Sequence, residues 1–419
     1  MNKLRITFIV VISLFAFSIT TLAEALQREK TLADALQEGD LSGQVATYYE
    51  LSEGQDEDSF AVATLKLKYE TAKWNNLQVG AELYTYSALY NEFDGDEDSG
   101  GLFKDFDRAN SNDRGNGAEN TSIAISEIYL KYHFSEKSFM QIGRWAHSQA
   151  SRKHLEDKQS EGFNIQYNDI EQVSIHLGLI SQTAEFDYDD FEDWGDGSKS
   201  GDADFNDDSY GNADDFLLFL DIKYDFNEKF SINPYIYYQG QFATLLGSDF
   251  IFAGEINEDL KVGLDSTIYT VQTDGDLKEN SGSGSQVISF LPWLKVSKFK
   301  FGTGITHFSE GLSLPRWFNN HLVGFDQKNQ YPKAAHADGD KSNDDTTAVQ
   351  ATVEYKFKKF KIRYGIQQWK GSQNELEQEL RLAYKFNKEL DFSLRLFAID
   401  VSENKDDYEK IEARLRYRF

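Results

Sequence analysis

The sequence has no cysteine, only 4 prolines and 2 methionines, and after its first two dozen residues no apolar run long enough to cross a bilayer as a helix. Without cysteine there are no disulfide staples, no thiol chemistry and no cysteine-ligated metal. Basic charge is also scarce. Set against 70 Asp and Glu, the 43 Lys and Arg leave a net charge of -27, which argues against nucleic acid as a partner. The mean hydropathy of -0.56 is that of a soluble protein. What the sequence holds in quantity is aromatic residues: 32 Phe, 22 Tyr and 6 Trp.

Residues 1–23 combine a basic start (Lys3, Arg5), an apolar core from Ile6 to Ile19 and the small-residue end Thr21, Leu22, Ala23. This reads as a cleavable signal peptide, cut after Ala23 or Ala25. Its removal takes Lys3 and Arg5 and no acid, so the mature charge is -29. Residues 24–40 then form a periplasmic lead and 41–419 the main body.

From about residue 41 onward apolar and polar residues alternate with period two. In one clear stretch Leu376, Gln378, Leu380, Leu382, Tyr384 and Phe386 interleave with Glu377, Glu379, Arg381, Ala383 and Lys385. The pattern predicts 18 strands, or 16 if the weakly patterned segments 138–146 and 248–256 are not strands. Pro234 and Pro292 fall inside expected strands, the first near a strand start and the second at a bulge. Connections alternate between tight turns (135–137, 227–228, 387–388) and polar loops (91–120, 183–213, 310–344), with Gly371–Ser372 the one short link where a longer loop is due. This asymmetry points to an all-β fold, a transmembrane antiparallel β-barrel with short periplasmic turns and long extracellular loops. Its spanning strands show lipid only every second side chain, which reconciles membrane insertion with low hydropathy.

Strands arriving at short turns end in Tyr-x-Phe: Tyr132 and Phe134, Tyr224 and Phe226, Tyr355 and Phe357, Tyr384 and Phe386, Tyr417 and Phe419. Both aromatics of a pair share one face, so the repeat is expected to ring the periplasmic rim. Tyr417 and Phe419 also match the C-terminal signal read by the barrel-assembly machinery. The last strand must pair with the first, because lipid tolerates no open edge.

Three features together resemble the OprD family of outer-membrane porins. They are the lead Leu32, Ala33, Ala35, Leu36, Gly39, Leu41, Ser42, Gly43, the run Ile142, Gly143, Arg144 followed by Arg152 and by Glu161, Gly162, Phe163, and terminal Phe419. The resemblance spans the mature chain and implies an 18-stranded barrel for substrate-selective uptake, with an arginine ladder that guides carboxylates.

If the Tyr-x-Phe faces point to lipid, Lys361, Arg363, Arg381, Lys385, Arg395, Arg414, Arg416 and Arg418 point inward. Arg363, Arg381, Arg395, Arg414 and Arg416 lie near their periplasmic strand ends and are expected to share one band as a ladder for translocated solute. The alternative is that these arginines pair with lumen acids such as Glu377, Glu379 and Glu412 and stiffen the wall. Two loops are expected to fold inward and narrow the pore. One carries Ser148, Ser151, Arg152 and Lys153, and the other Leu314, Pro315, Arg316 and Trp317.

The acidic segment 183–215 lacks the spacing of a calcium loop, and no metal site or cofactor is expected. The seven histidines stand in no catalytic arrangement, so the sequence does not read as an enzyme. The reading is a Gram-negative outer-membrane porin with both mature termini in the periplasm, a monomer or loose trimer. It passes small anionic or zwitterionic solutes by diffusion, and its other partners are outer-membrane lipid and lipopolysaccharide. The competing reading is a structural or adhesive surface protein with little transport.

Overall fold

A computed structural model describes residues 31–53, 58–93, 121–146, 159–184, 192–193, 216–239, 243–274, 278, 284–310, 345–371, 375–401 and 408–419. The leader and the start of the lead lie outside these residues. The described chain opens with helix α1 (Leu32–Gln37) and continues as strands. These are β1 (Asp40–Glu53), β2 (Asp58–Glu70), β3 (Leu77–Phe93), β4 (Thr121–His133), β5 (Phe139–Ala146), β6 (Gln159–Tyr167), β7 (Val173–Ala184), β8 (Leu217–Asn227) and β9 (Phe230–Gln239). The second half gives β10 (Ala243–Asn257), β11 (Leu260–Thr273), β12 (Gln286–Val296), β13 (Phe299–Phe308), β14 (Thr346–Phe357), β15 (Phe360–Lys370), β16 (Glu375–Lys385), β17 (Leu390–Val401) and β18 (Tyr408–Arg418). A two-residue segment, Glu192–Asp193, adds a short pairing to β7 outside the wall.

Each wall strand pairs antiparallel with its neighbours in sequence, and β1 pairs with both β2 and β18. The sheet is therefore closed, an 18-stranded antiparallel β-barrel with no open edge. No helix among the described residues is long and apolar enough to cross a membrane. Outward positions along the wall are apolar and exposed, as in Ile288, Phe290, Leu294 and Val296 of β12 and Phe299, Phe301 and Ile305 of β13. One departure is an ion pair on the outer face, where Arg144 lies opposite Ile128 and its Nη2 is 2.6 Å from Glu161. Its Nη1 donates to the carbonyl of Ile125 at 2.8 Å, beside a register shift in β4.

Asparagine side chains fold several tight turns. Asn227 Oδ1 accepts from the backbone N–H of Lys229 and Phe230, and Asn387 Oδ1 from those of Glu389 and Leu390, while Asn257 Oδ1 takes the N–H of Asp259. Each is a side-chain mimic of a backbone turn. Ser297 (φ 53°) and Lys358 (φ 50°) take the left-handed conformation that two-residue hairpin links demand. The five Tyr-x-Phe pairs sit at this rim with their rings in contact, at centroid separations from 4.5 Å (Tyr224–Phe226) to 6.5 Å (Tyr355–Phe357). All five phenylalanines are exposed on the outer face.

Three expectations need correction. Pro292 makes no bulge, since the register of β12 against β11 is continuous through Leu264↔Pro292. Its pairing with β13 is interrupted between Phe290↔Ile305 and Trp293↔Gly302 without a shift. The missing N–H therefore faces one neighbour only, which limits the loss to that side. Pro234 lies mid-strand in β9 and does the same toward β8 while pairing with Ser248 of β10. Strand β10 begins at Ala243, not 248, so the link 240–242 joins 54–57 and 371–374 as a short connection on the long-loop side.

Candidate functional site: the inner wall

Among the described residues the chemistry of the inner wall is set by which alternate positions each strand turns inward. Exposure separates the two faces along β18. Ile411, Leu415 and Tyr417 are exposed on the outside, and Lys410, Glu412, Arg414, Arg416 and Arg418 are their alternates.

Arg363, Arg381 and Arg395 are direct cross-strand partners on β15, β16 and β17. The same register row continues to Glu412 on β18 and Glu50 on β1 in one direction. In the other it runs through Glu354, Lys300, Lys295 and Lys261 on β14, β13, β12 and β11. Because barrel strands tilt, a row perpendicular to them climbs the wall. Lys261 stands next to the short-turn end of β11, and Glu50 near the far end of β1. The row is a spiral of charge, basic over most of its length. The sequence reading confined it to the last four strands, and the lysines on β11–β13 extend it by register that no single strand reveals.

Acids balance much of this spiral. Arg381 places Nε and Nη2 each 2.9 Å from Glu379 Oε1. Arg395, buried, bonds Glu412 at 3.1 Å and lies 3.4 Å from Glu379. Lys410 joins Glu50 at 2.5 Å and Glu412 at 3.2 Å, so the network crosses the seam where the barrel closes. Tyr48 also donates to Glu50. Nearer the rim, Arg416 and Arg418 share Asp391, at 3.2 and 2.8 Å. Glu377 accepts from the Trp369 indole at 3.0 Å. Arg414, opposite Ser393 and Tyr48, is exposed and makes no ion pair among the described residues. A second ionic group lies on β2–β4, with Lys68–Glu127 at 2.5 Å, Lys131–Glu70 at 3.6 Å and Lys66–Glu82 at 3.7 Å.

The opposite side is different. At the long-loop ends of β7–β12 the inward positions are Ile180, Leu217, Phe219, Tyr237, Leu245, Tyr269, Val271 and Val287, all buried in one apolar cluster. Polar atoms here are held by hydroxyls. Tyr237 donates to Asp221 at 2.9 Å and Thr267 to Asp249 at 2.7 Å, and Ser289 and Thr306 bond at 2.8 Å. Sequence reasoning missed this wall, although the period-two rule that turned the arginines inward places Phe219 and Asp221, or Tyr235 and Tyr237, inward as well.

At the seam, Gly43 N donates to Phe419 O at 2.9 Å and Phe419 N to Gly43 O at 3.0 Å. The Phe419 ring covers Gly43, where any Cβ would overlap it. Tyr417 pairs with Val45 and Leu390. The expected loop residues Ser148, Ser151, Arg152, Lys153, Leu314, Pro315, Arg316 and Trp317 lie outside the described residues.

The closed 18-stranded wall is shared with solved structures. The chain superposes on the crystal structure of Pseudomonas aeruginosa OpdK with vanillate at a TM-score of 0.71 and 13% identity, over 92% of this chain and 99% of that one. The chain has the OpdK fold. P. aeruginosa OccK9 (OpdG) matches as well, at 0.71 and 13% over 92% and 99%. Acinetobacter baumannii OccAB4 gives 0.70 and 12% over 91% and 98%. No protein-family model and no curated protein sequence matches the chain. The OpdK fold is thus reached here with a sequence in which almost nine positions in ten differ.

Proposed function

We propose that this barrel is a passive diffusion channel of a Gram-negative outer membrane, admitting small polar solutes and favouring those that carry a carboxylate. The observation that carries the reading is the inward spiral from Lys261 to Arg395, with exposed Arg414 beside it. A wall whose fixed charge is mostly basic along a climbing path lowers the energy of an anionic group at each step. The pairing with Glu379, Glu412 and Asp391 supports the same reading, because it holds the guanidinium groups in place against a low-dielectric wall. Arg414 is the rung with most to offer a passing carboxylate. The solved OpdK complex holds vanillate, itself a carboxylate, which agrees in kind.

In this reading α1, the tight turns and the seam mark the periplasmic rim, with both mature termini there. The segments carrying Arg152 and Trp317 narrow the pore. Folding depends on the barrel-assembly machinery reading Tyr417 and Phe419, and lipopolysaccharide surrounds the outer half.

Single-channel recording in planar bilayers tests the proposal. Stable open steps are expected, blocked by small aromatic or aliphatic acids from either side. Arg414→Ala is expected to weaken that block about 5-fold, equivalent to about 1 kcal/mol. A protein that inserts and never conducts would instead be a structural or adhesive surface barrel.

A further inference from the structure

Helix α1 is short and, by position, a mere lead into the first strand, yet it is built and tethered. Thr31 and Asp34 form a capping box, with Asp34 N donating to Thr31 Oγ1 at 3.2 Å and Thr31 N to Asp34 Oδ2 at 2.9 Å. Ala35 is fully buried, and its carbonyl accepts from Ala72 N at 3.0 Å in the β2–β3 turn. The Tyr69 hydroxyl donates to the carbonyl of Leu36. Gly39 lets this contact form, since a Cβ there would overlap the Tyr69 phenol.

Tyr69 fixes the side on which the helix lies. It is the register partner of Leu41, which is 66% exposed, so both stand on the outer face of the barrel, not in the lumen. Leu32 and Leu36, one turn apart on α1, are each about half exposed, and they run into Leu41 and then Val45 on the outer face of β1. The helix is therefore tethered on the outer side of the rim, and its two half-exposed leucines lie close in sequence to the outward Leu41 and Val45. The described residues leave Leu32 and Leu36 half exposed, and the outer wall beside them is the one read above as meeting hydrocarbon.

We propose that α1 is an interfacial anchor: Leu32, Leu36 and Leu41 sink into the leaflet adjoining the short-turn rim, while the Tyr69 and Ala72 tethers hold the helix parallel to the membrane plane. This rests on the reading of the chain as a membrane barrel. A helix fastened there fixes the depth of the rim and keeps the lead away from the pore mouth.

The absence of native cysteine gives a direct test. Leu32→Cys and Leu36→Cys variants of the full mature chain, each labelled with an environment-sensitive fluorophore, are reconstituted in phosphatidylethanolamine and phosphatidylglycerol vesicles with or without nitroxide-labelled lipid. Leu294→Cys, on the outer wall, and Glu258→Cys, in a tight turn, are the references. The anchor predicts blue-shifted emission at both helix positions and quenching at least half that seen at Leu294. Helix labels that behave as Glu258 does, with Leu294 quenched, overturn the anchor and leave the barrel standing. No quenching at Leu294 overturns the membrane reading and the anchor with it. Neither leucine packs inside the barrel, so both variants are expected to fold. A Leu32→Glu, Leu36→Glu variant gives an independent measure, since release of α1 from the leaflet should raise its rate of proteolysis several-fold.

Discussion

The two sides of the inner wall are built on opposite principles. From β14 through the seam to β4 the inward residues include networks of ions, such as Glu379 with Arg381 and Arg395, or Glu50 with Lys410, alongside buried Ala348, Trp369 and Tyr129. At the long-loop ends of β7–β12 they are aromatic and aliphatic, with Tyr237, Leu245 and Val287 fully buried. A barrel has no core between layers, so whatever stiffens it must line the space that solute crosses. Ion pairs stiffen the wall from positions beside that space, with Glu379 and Arg395 buried and Arg381 partly exposed to it. Apolar packing stiffens by filling it. The difference teaches that one side of this barrel is stiffened chiefly by ion pairs and the other by apolar packing.

The comparison can be broken most sharply at Glu379. Glu379→Ala strips a buried partner from Arg381 and Arg395 and is expected to destabilise the barrel by about 3–5 kcal/mol, read from urea titration in lipid vesicles. Replacing the three groups together with Leu and Met should recover most of the loss and abolish solute block on that side. On the other side, Leu245→Ala should cost about 2–5 kcal/mol through a cavity, with no dependence on salt and no change in anion block. Tyr237→Phe removes the hydroxyl from buried Asp221 and is expected to cost about 1–3 kcal/mol in the same titration. The smallest effect is expected at the rim. Lys361 and Glu354 lie 2.7 Å apart but are partly exposed, so Lys361→Ala should cost no more than about 1 kcal/mol, vanishing as salt is raised. If Lys361→Ala cost as much as Glu379→Ala, the distinction between a buried network and a solvated rim would fail.

Strand positions were readable because alternation is a local property. Leu376 to Phe386 declares its two faces without any neighbour, and β16 (Glu375–Lys385) falls where that stretch predicts it. Turn positions were readable where asparagine carries the turn, as at Asn227 and Asn387. Register was not readable, because it depends on two strands at once. That Arg363, Arg381 and Arg395 are direct neighbours, and that Lys300, Lys295 and Lys261 continue their row, follows only from pairing. Prolines misled for a related reason. Whether a missing N–H breaks a ladder depends on which neighbour it faces, and for Pro292 and Pro234 only one side is affected. The apolar side of the inner wall was legible in alternation alone, since Phe219 and Asp221 share one face, but its joining into a single cluster depends on register.

The seam between β1 and β18 has a mechanical meaning. Every other junction in the wall joins strands that are consecutive in the chain, so each hairpin forms across a short contour and costs little closure entropy. The seam alone brings together residues nearly the whole chain apart, Gly43 with Phe419. Pulled from one end in a force measurement, such a barrel should give way first at this one long-range junction and then peel hairpin after hairpin, its rupture force at the start reporting on the whole β1–β18 ladder from Gly43–Phe419 to Glu53–Glu409 and the Lys410–Glu50 bridge across it.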